Sequence, residues 1–194
     1  MKSPLSSVLF GLCFFGALLS GAEAHTFGAH GTGFAEGFTH PFYGLDHLFA
    51  MIAVGIWAAQ LGGLATWLAP LTFVAVMAGS ALLALHGFEL PMLEPAIASS
   101  VLVLGLLVAF AVRLPVGVSL GLVGLFALFH GYAHGQELPH AASAMLYGVG
   151  FLLATGLLHG LGLGFGCMTC RVALVSRLGG SVIATAGLFL LVTA

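Results

Sequence analysis

Pro115-Val116-Gly117-Val118-Ser119-Leu120-Gly121-Leu122-Val123-Gly124-Leu125-Phe126-Ala127-Leu128-Phe129-His130-Gly131-Tyr132-Ala133-His134 runs for twenty residues without a lysine, arginine, aspartate or glutamate. A run of this length and composition reads as a membrane-crossing helix, because backbone groups in hydrocarbon must be satisfied within the segment itself. Comparable runs cover about 42–60, 64–86, 95–112, 143–164 and 171–192. The sequence therefore predicts an all-α fold, a polytopic membrane bundle of six transmembrane helices. Composition agrees: 60% of the 194 residues are hydrophobic, 5% are charged, and the mean hydropathy is +1.17. A formal charge of −2 gives no basic footprint for nucleic acid. No glycine loop of the phosphate-cradling type is present.

Residues 1–24 read as a cleaved signal peptide, with Lys2, an apolar stretch from Leu5 to Leu19, and Ala22-Glu23-Ala24 before the cut. His25 then begins the mature chain, and residues 25–194 form a single six-span membrane domain. The segment His25 to Thr39 is glycine-rich and aperiodic, an external tether. Six spans after an exported start place both termini outside. Arg113, Arg171 and Arg177 fall at ends assigned to the cytoplasm, and Glu36, Glu89, Glu94 and Glu137 fall at the other. That distribution obeys the positive-inside rule, and the expected location is the bacterial inner membrane.

Glycines at four-residue spacing, Gly117 with Gly121 and Gly156 with Gly160 and Gly164, predict faces of close helix packing. His86-Gly87-Phe88-Glu89-Leu90-Pro91 returns 48 residues later as His134-Gly135-Gln136-Glu137-Leu138-Pro139. The echo predicts that the second and fourth spans pack side by side with His86 and His134 at similar depth.

Ionisable groups within spans are functional candidates by default. His130, His134 and Glu137, spaced i, i+4 and i+7, share one helix face when the helix continues to 137. In His40-Pro41-Phe42-Tyr43-Gly44-Leu45-Asp46-His47, Pro41 suits a first helical turn, and His40, His47 and Met51 then lie near one stripe. Asp46 has two open roles, ligand or orienter of a neighbouring histidine. These give His40, Asp46, His47, His130, His134 and Glu137 as metal ligands. His86 with Glu89 form a third pairing, and Met51, His159 and His25, the last beside a free amine, complete the candidates. Cys167-Met168-Thr169-Cys170 has ligand spacing but lacks the second pair of a structural zinc site, so its thiols are expected to have little role. Imidazole with few carboxylates and one thioether suits a first-row divalent ion, since magnesium and calcium prefer oxygen.

The His-Pro-x-x-Gly-x-Asp-His string at 40–47, continuing through Met51 and Gly55, and the Phe-His-Gly-x-Ala-His-Gly-x-Glu string at 129–137 resemble the signatures of the HupE/UreJ family of nickel/cobalt permeases. No polar position of either signature departs from the pattern, and the resemblance extends over essentially the whole chain. It implies a permease, not an enzyme, that carries Ni2+ or Co2+ as substrate with no prosthetic group and delivers it to cytoplasmic metal-accepting proteins. The competing class is a membrane metalloenzyme of di-iron type or a haem protein. Those need a fuller set of histidines facing the cytosol, or histidines near mid-depth on facing spans. Here one His-x3-His is present and it is assigned to the outer face.

Overall fold

The computed structural model describes residues 33–138, 143–169 and 172–194. The stretch 1–24 read as a signal peptide, with His25, Cys170 and Arg171, lies outside the described residues. Those described form seven helices: α1 Phe34–Tyr43, α2 Leu45–Leu61, α3 Ala65–Leu85, α4 Leu93–Ala109, α5 Val116–Gln136, α6 Ala144–Thr169 and α7 Ala173–Thr193. From α2 onward their limits follow the apolar runs closely, because uncharged runs end where glycine, proline or an ionisable residue lets the chain turn.

Helices α3, α5, α6 and α7 are each long and apolar enough to cross a membrane. A fifth crossing is available if α1 and α2, bent by 83° at their junction, count as one broken span. At 17 residues α4 is shorter, about 25 Å of helix against a hydrocarbon core of about 30 Å. Large apolar side chains such as Trp67, Leu71, Leu82, Leu157 and Phe189 cover the outside. An apolar surface of this extent needs lipid around it; the chain is an integral membrane protein.

The first element differs from its sequence reading. Part of the aperiodic segment is the helix α1, and Pro41 sits inside it near its C-terminal end instead of opening a span. Proline removes one backbone bond at that point, and Gly44 follows in an extended conformation (φ −84°, ψ 113°) before α2 begins. A side chain at Gly44 has no room: its Cβ would lie 2.7 Å from Asp46 Oδ1 and 3.1 Å from His47 Nδ1.

Helix α2 is the core, with every residue from His47 to Ala58 except Ile52 buried. Apolar on all sides, it can be placed only inside. Helix α6 lies along it: Gly55 meets the backbone at His159 and Leu163, and Gly162 meets Ile52. Gly131 and Gly135 of α5 meet the α3 backbone at Met77 and Ala81, and Ser80 donates to the Leu128 carbonyl. The second and fourth apolar runs therefore do pack side by side, in parallel, but His86 and His134 are not at similar depth: Gly131 is level with Met77 and Gly135 with Ala81, which leaves His86 beyond His134 and exposed. Gly105 against Ala184, and Gly180 against Ala109, join α4 to α7. The glycines expected to mediate packing are elsewhere: a Cβ on Gly117, Gly121, Gly156, Gly160 or Gly164 would meet nothing within 4 Å.

These pairings sort the charges. The His40–Glu137 contact and a pocket shared by Asp46, Glu94 and Thr193 gather the acidic groups at one end. At the other, Trp57 donates to the Val112 carbonyl (2.9 Å) beside Arg113, and Gly180, three residues past Arg177, packs on Ala109.

Candidate metal centre

Three helices build the centre. The α1–α2 bend swings His40 toward His47, and the end of α5 brings in His130, His134 and Glu137. His134 is the hub: its ring centroid lies 4.1 Å from that of His47 and 4.8 Å from that of His40, and its Nδ1 is 3.8 Å from Glu137 Oε2. His40 Nε2 reaches Glu137 Oε2 at 2.9 Å. His130 closes the inner side, 5.1 Å from His47 between ring centroids.

Ligand atoms of His40, His134 and Glu137 all lie within 4.8 Å of one another. Donors about 2.0–2.2 Å from a bound ion stand at most about 4.4 Å apart. Small side-chain rotations therefore suffice to close these three on an ion. The centre is graded in exposure, from half-exposed His40 and Glu137 (33% and 47% of each side chain) to buried His134, His47 and His130.

The remaining bonds orient the imidazoles. His130 Nδ1 lies 3.0 Å from the Phe126 carbonyl and so donates to it, leaving Nε2 unpaired. His47 Nδ1 lies 2.6 Å from Asp46 Oδ1, and its Nε2 is likewise without a partner. The same Asp46 oxygen accepts the His47 backbone N–H at 2.8 Å. Of the two roles open to Asp46, orientation is the one its contacts support: a carboxylate fixes the tautomer and leaves the far nitrogen free for a metal. Both ring nitrogens of His134 lack hydrogen-bond partners among the described residues. Buried polar atoms without partners are costly, and three histidines here carry them.

The other candidates make none of these contacts. His86 is exposed at the end of α3, its Nδ1 donating to the Leu82 carbonyl (2.7 Å), and Glu89 is exposed in the following turn. Met51 is buried one turn beyond His47, and His159 is buried in the middle of α6. Cys167 is exposed, a free thiol.

Residues 13–190 match the HupE / UreJ protein family. The chain belongs to this family. It is 51% identical over 178 residues to "Protein HupE" of Rhizobium leguminosarum bv. viciae, covering 91% of this chain and 93% of that protein. No solved structure matches. In this HupE/UreJ chain, the two strings that carried the sequence resemblance are the ones that meet in space.

Sequence reasoning missed the wall facing them. Tyr147 of α6, buried with its hydroxyl unpaired, stands 6.0 Å from His40, and Phe151 lies 3.7 Å from His134, both between ring centroids. Their signal was periodic rather than chemical: Tyr147, Phe151, Thr155 and His159 recur every fourth residue, one face of α6. Glu94 was read only for topology, yet it shares with Asp46 a pocket of about 190 Å³.

Asp46→Asn is expected to weaken metal binding about 10- to 100-fold, the range for losing a partner that orients a ligand. The uncharged amide still accepts a hydrogen bond but no longer strengthens the His47 imidazole as a donor. Titration of the purified variant with Ni2+ checks this, and an unchanged dissociation constant would return Asp46 to a local role at the helix start.

Proposed function

We propose that this chain is a secondary permease importing a divalent transition metal, nickel or cobalt, across the bacterial inner membrane. The observation that carries the reading is the convergence of His40, His47, His130, His134 and Glu137 from three helices, graded from a half-exposed mouth to a buried interior. A resident structural metal would favour a closed set of ligands; a graded set lets a hydrated ion exchange its water for protein donors in stages.

In this reading the ion meets Glu137 and His40 first and sheds water as His134, His47 and His130 replace it. Asp46 holds His47 in register. The α1–α2 pair serves as the first of six crossings and α4 as the third, with a signal peptide removed and both termini outside. Separation of Arg113 and Arg177 from the histidine-bearing end supports that end facing outward. Inward movement of a divalent ion down the membrane potential gains about 4.6 kcal/mol per 100 mV, twice the ~2.3 for a single charge. Transport then requires no prosthetic group and no catalysed reaction, and the ion passes to metal-accepting proteins in the cytoplasm.

The test is accumulation of radioactive nickel by proteoliposomes holding the full chain under an inside-negative potential, with cobalt, zinc and magnesium as competitors. Cobalt is expected to compete and magnesium to leave uptake unchanged. Proteoliposomes accumulating no more nickel than protein-free vesicles would end the reading. His86→Ala with Glu89→Ala, and Cys167→Ser, are expected to keep uptake within about twofold of wild type, since exposed side chains that take no part in the histidine cluster contribute little.

A further inference from the structure

His159 lies in the middle of α6, 3% exposed, and neither ring nitrogen has a hydrogen-bond partner among the described residues. Its ring meets Phe73 of α3 edge-on, 5.1 Å between centroids at an interplanar angle of 86°. The fully buried Phe73 also faces His130, at 5.6 Å. A single aromatic ring thus stands between the innermost histidine of the centre and a second, isolated imidazole.

A buried imidazole with both nitrogens unpaired is an expensive thing to keep in an apolar interior. Packing alone does not call for it, since leucine or phenylalanine would fill the space without the penalty. Local construction also favours a ligand there. Thr155, one turn earlier and buried, supplies a hydroxyl oxygen on the same face while donating its proton to the Phe151 carbonyl (2.9 Å). Gly55 lets α2 approach the His159 backbone closely.

Resting on the transport reading above, we infer that His159 is a second, inner binding station for the divalent cation, separated from the outer centre by the Phe73 ring. The ion leaves His130 and reaches His159 when that ring swings out of the way. The ring otherwise keeps the two stations from merging into one continuous polar path. Imidazole with a hydroxyl suits the same borderline first-row ions as the outer centre, so the cation changes partners without changing preference.

The experiment uses the full chain, purified for binding and reconstituted for flux. His159→Ala is expected to keep nickel affinity at the outer centre within about threefold while initial uptake falls at least about tenfold, the lower limit for losing even a supporting partner. His159→Cys supplies an independent arm, because a thiolate favours softer ions: the ratio of cadmium to nickel uptake should rise about tenfold over wild type. His159→Ala uptake equal to wild type, or an unchanged ratio in His159→Cys, overturns the inner station and leaves the outer centre standing. Absence of nickel uptake by the wild-type chain overturns the transport reading itself, and the station with it.

Discussion

Alanine at His134 is expected to cut nickel uptake about 100-fold or more, beyond the 10- to 100-fold that accompanies loss of a supporting partner alone. No other histidine of the centre sits against His40, His47 and Glu137 together. An ion partly stripped of water at that point has no substitute donor, and the deficit is paid in full by the low-dielectric surroundings. Protein yield should barely change. Alanine is the best helix former, and deleting two unpaired buried nitrogens removes a desolvation cost that offsets part of the cavity left behind. The measurement is uptake of radioactive nickel per amount of reconstituted protein, with His40→Ala, His130→Ala and Glu137→Ala beside it. Uptake near wild type in His134→Ala would remove the hub from the mechanism and leave the cluster as a packing feature.

Gly131→Val and Gly162→Val are expected to lose the folded protein, whereas Gly160→Val and Gly117→Val should keep it. A Cβ at Gly131 collides with the Met77 backbone, and one at Gly162 with that of Ile52, so neither collision can be relieved by a rotamer. Overpacking a core commonly costs about 1–3 kcal/mol, sometimes more, and two backbones forced apart exceed that range, a large fraction of a total stability of about 5–15 kcal/mol. Gly160 and Gly117 face open space. Retention of a monodisperse peak after graded heating in detergent separates the two pairs. If Gly160→Val fell with Gly162→Val, the α2–α6 contact would not be the one described.

Much of the architecture was legible in the chain because membrane helices obey a length and polarity rule that acts residue by residue. The runs at about 64–86, 115–134 and 143–164 became α3, α5 and α6 nearly as drawn. At the first run the rule failed, since α1 is stopped by the Pro41–Gly44 segment rather than by a change of polarity. Glycine spacing misled for a related reason. The spacing Gly156, Gly160, Gly164 marks a smooth face, but it does not tell which face a neighbouring helix will choose; Gly162 and Gly166, at the same spacing on another face of that helix, took the contact with Ile52, Ile56 and Ala59. Of the site, His130, His134 and Glu137 were readable because one helix sets their spacing.

From sequence alone follow an apolar helical membrane chain, its family, and an excess of histidine and carboxylate where such groups are costly. Those properties are local, fixed by composition and by periodicity within single helices. Only the tertiary structure decided that His40 and His47 come round to meet His134 by a bend instead of lying along a stripe, and that Asp46 holds His47. It also decided that His86 stays outside while its counterpart in the echo, His134, is enclosed. The reason is geometric: α5 is placed by its close approach to α3 through Gly131, α2 by its approach to α6 through Gly55 and Gly162, and α1 by the turn at Gly44. Those distances arise between helices, and the pattern within one helix does not contain them.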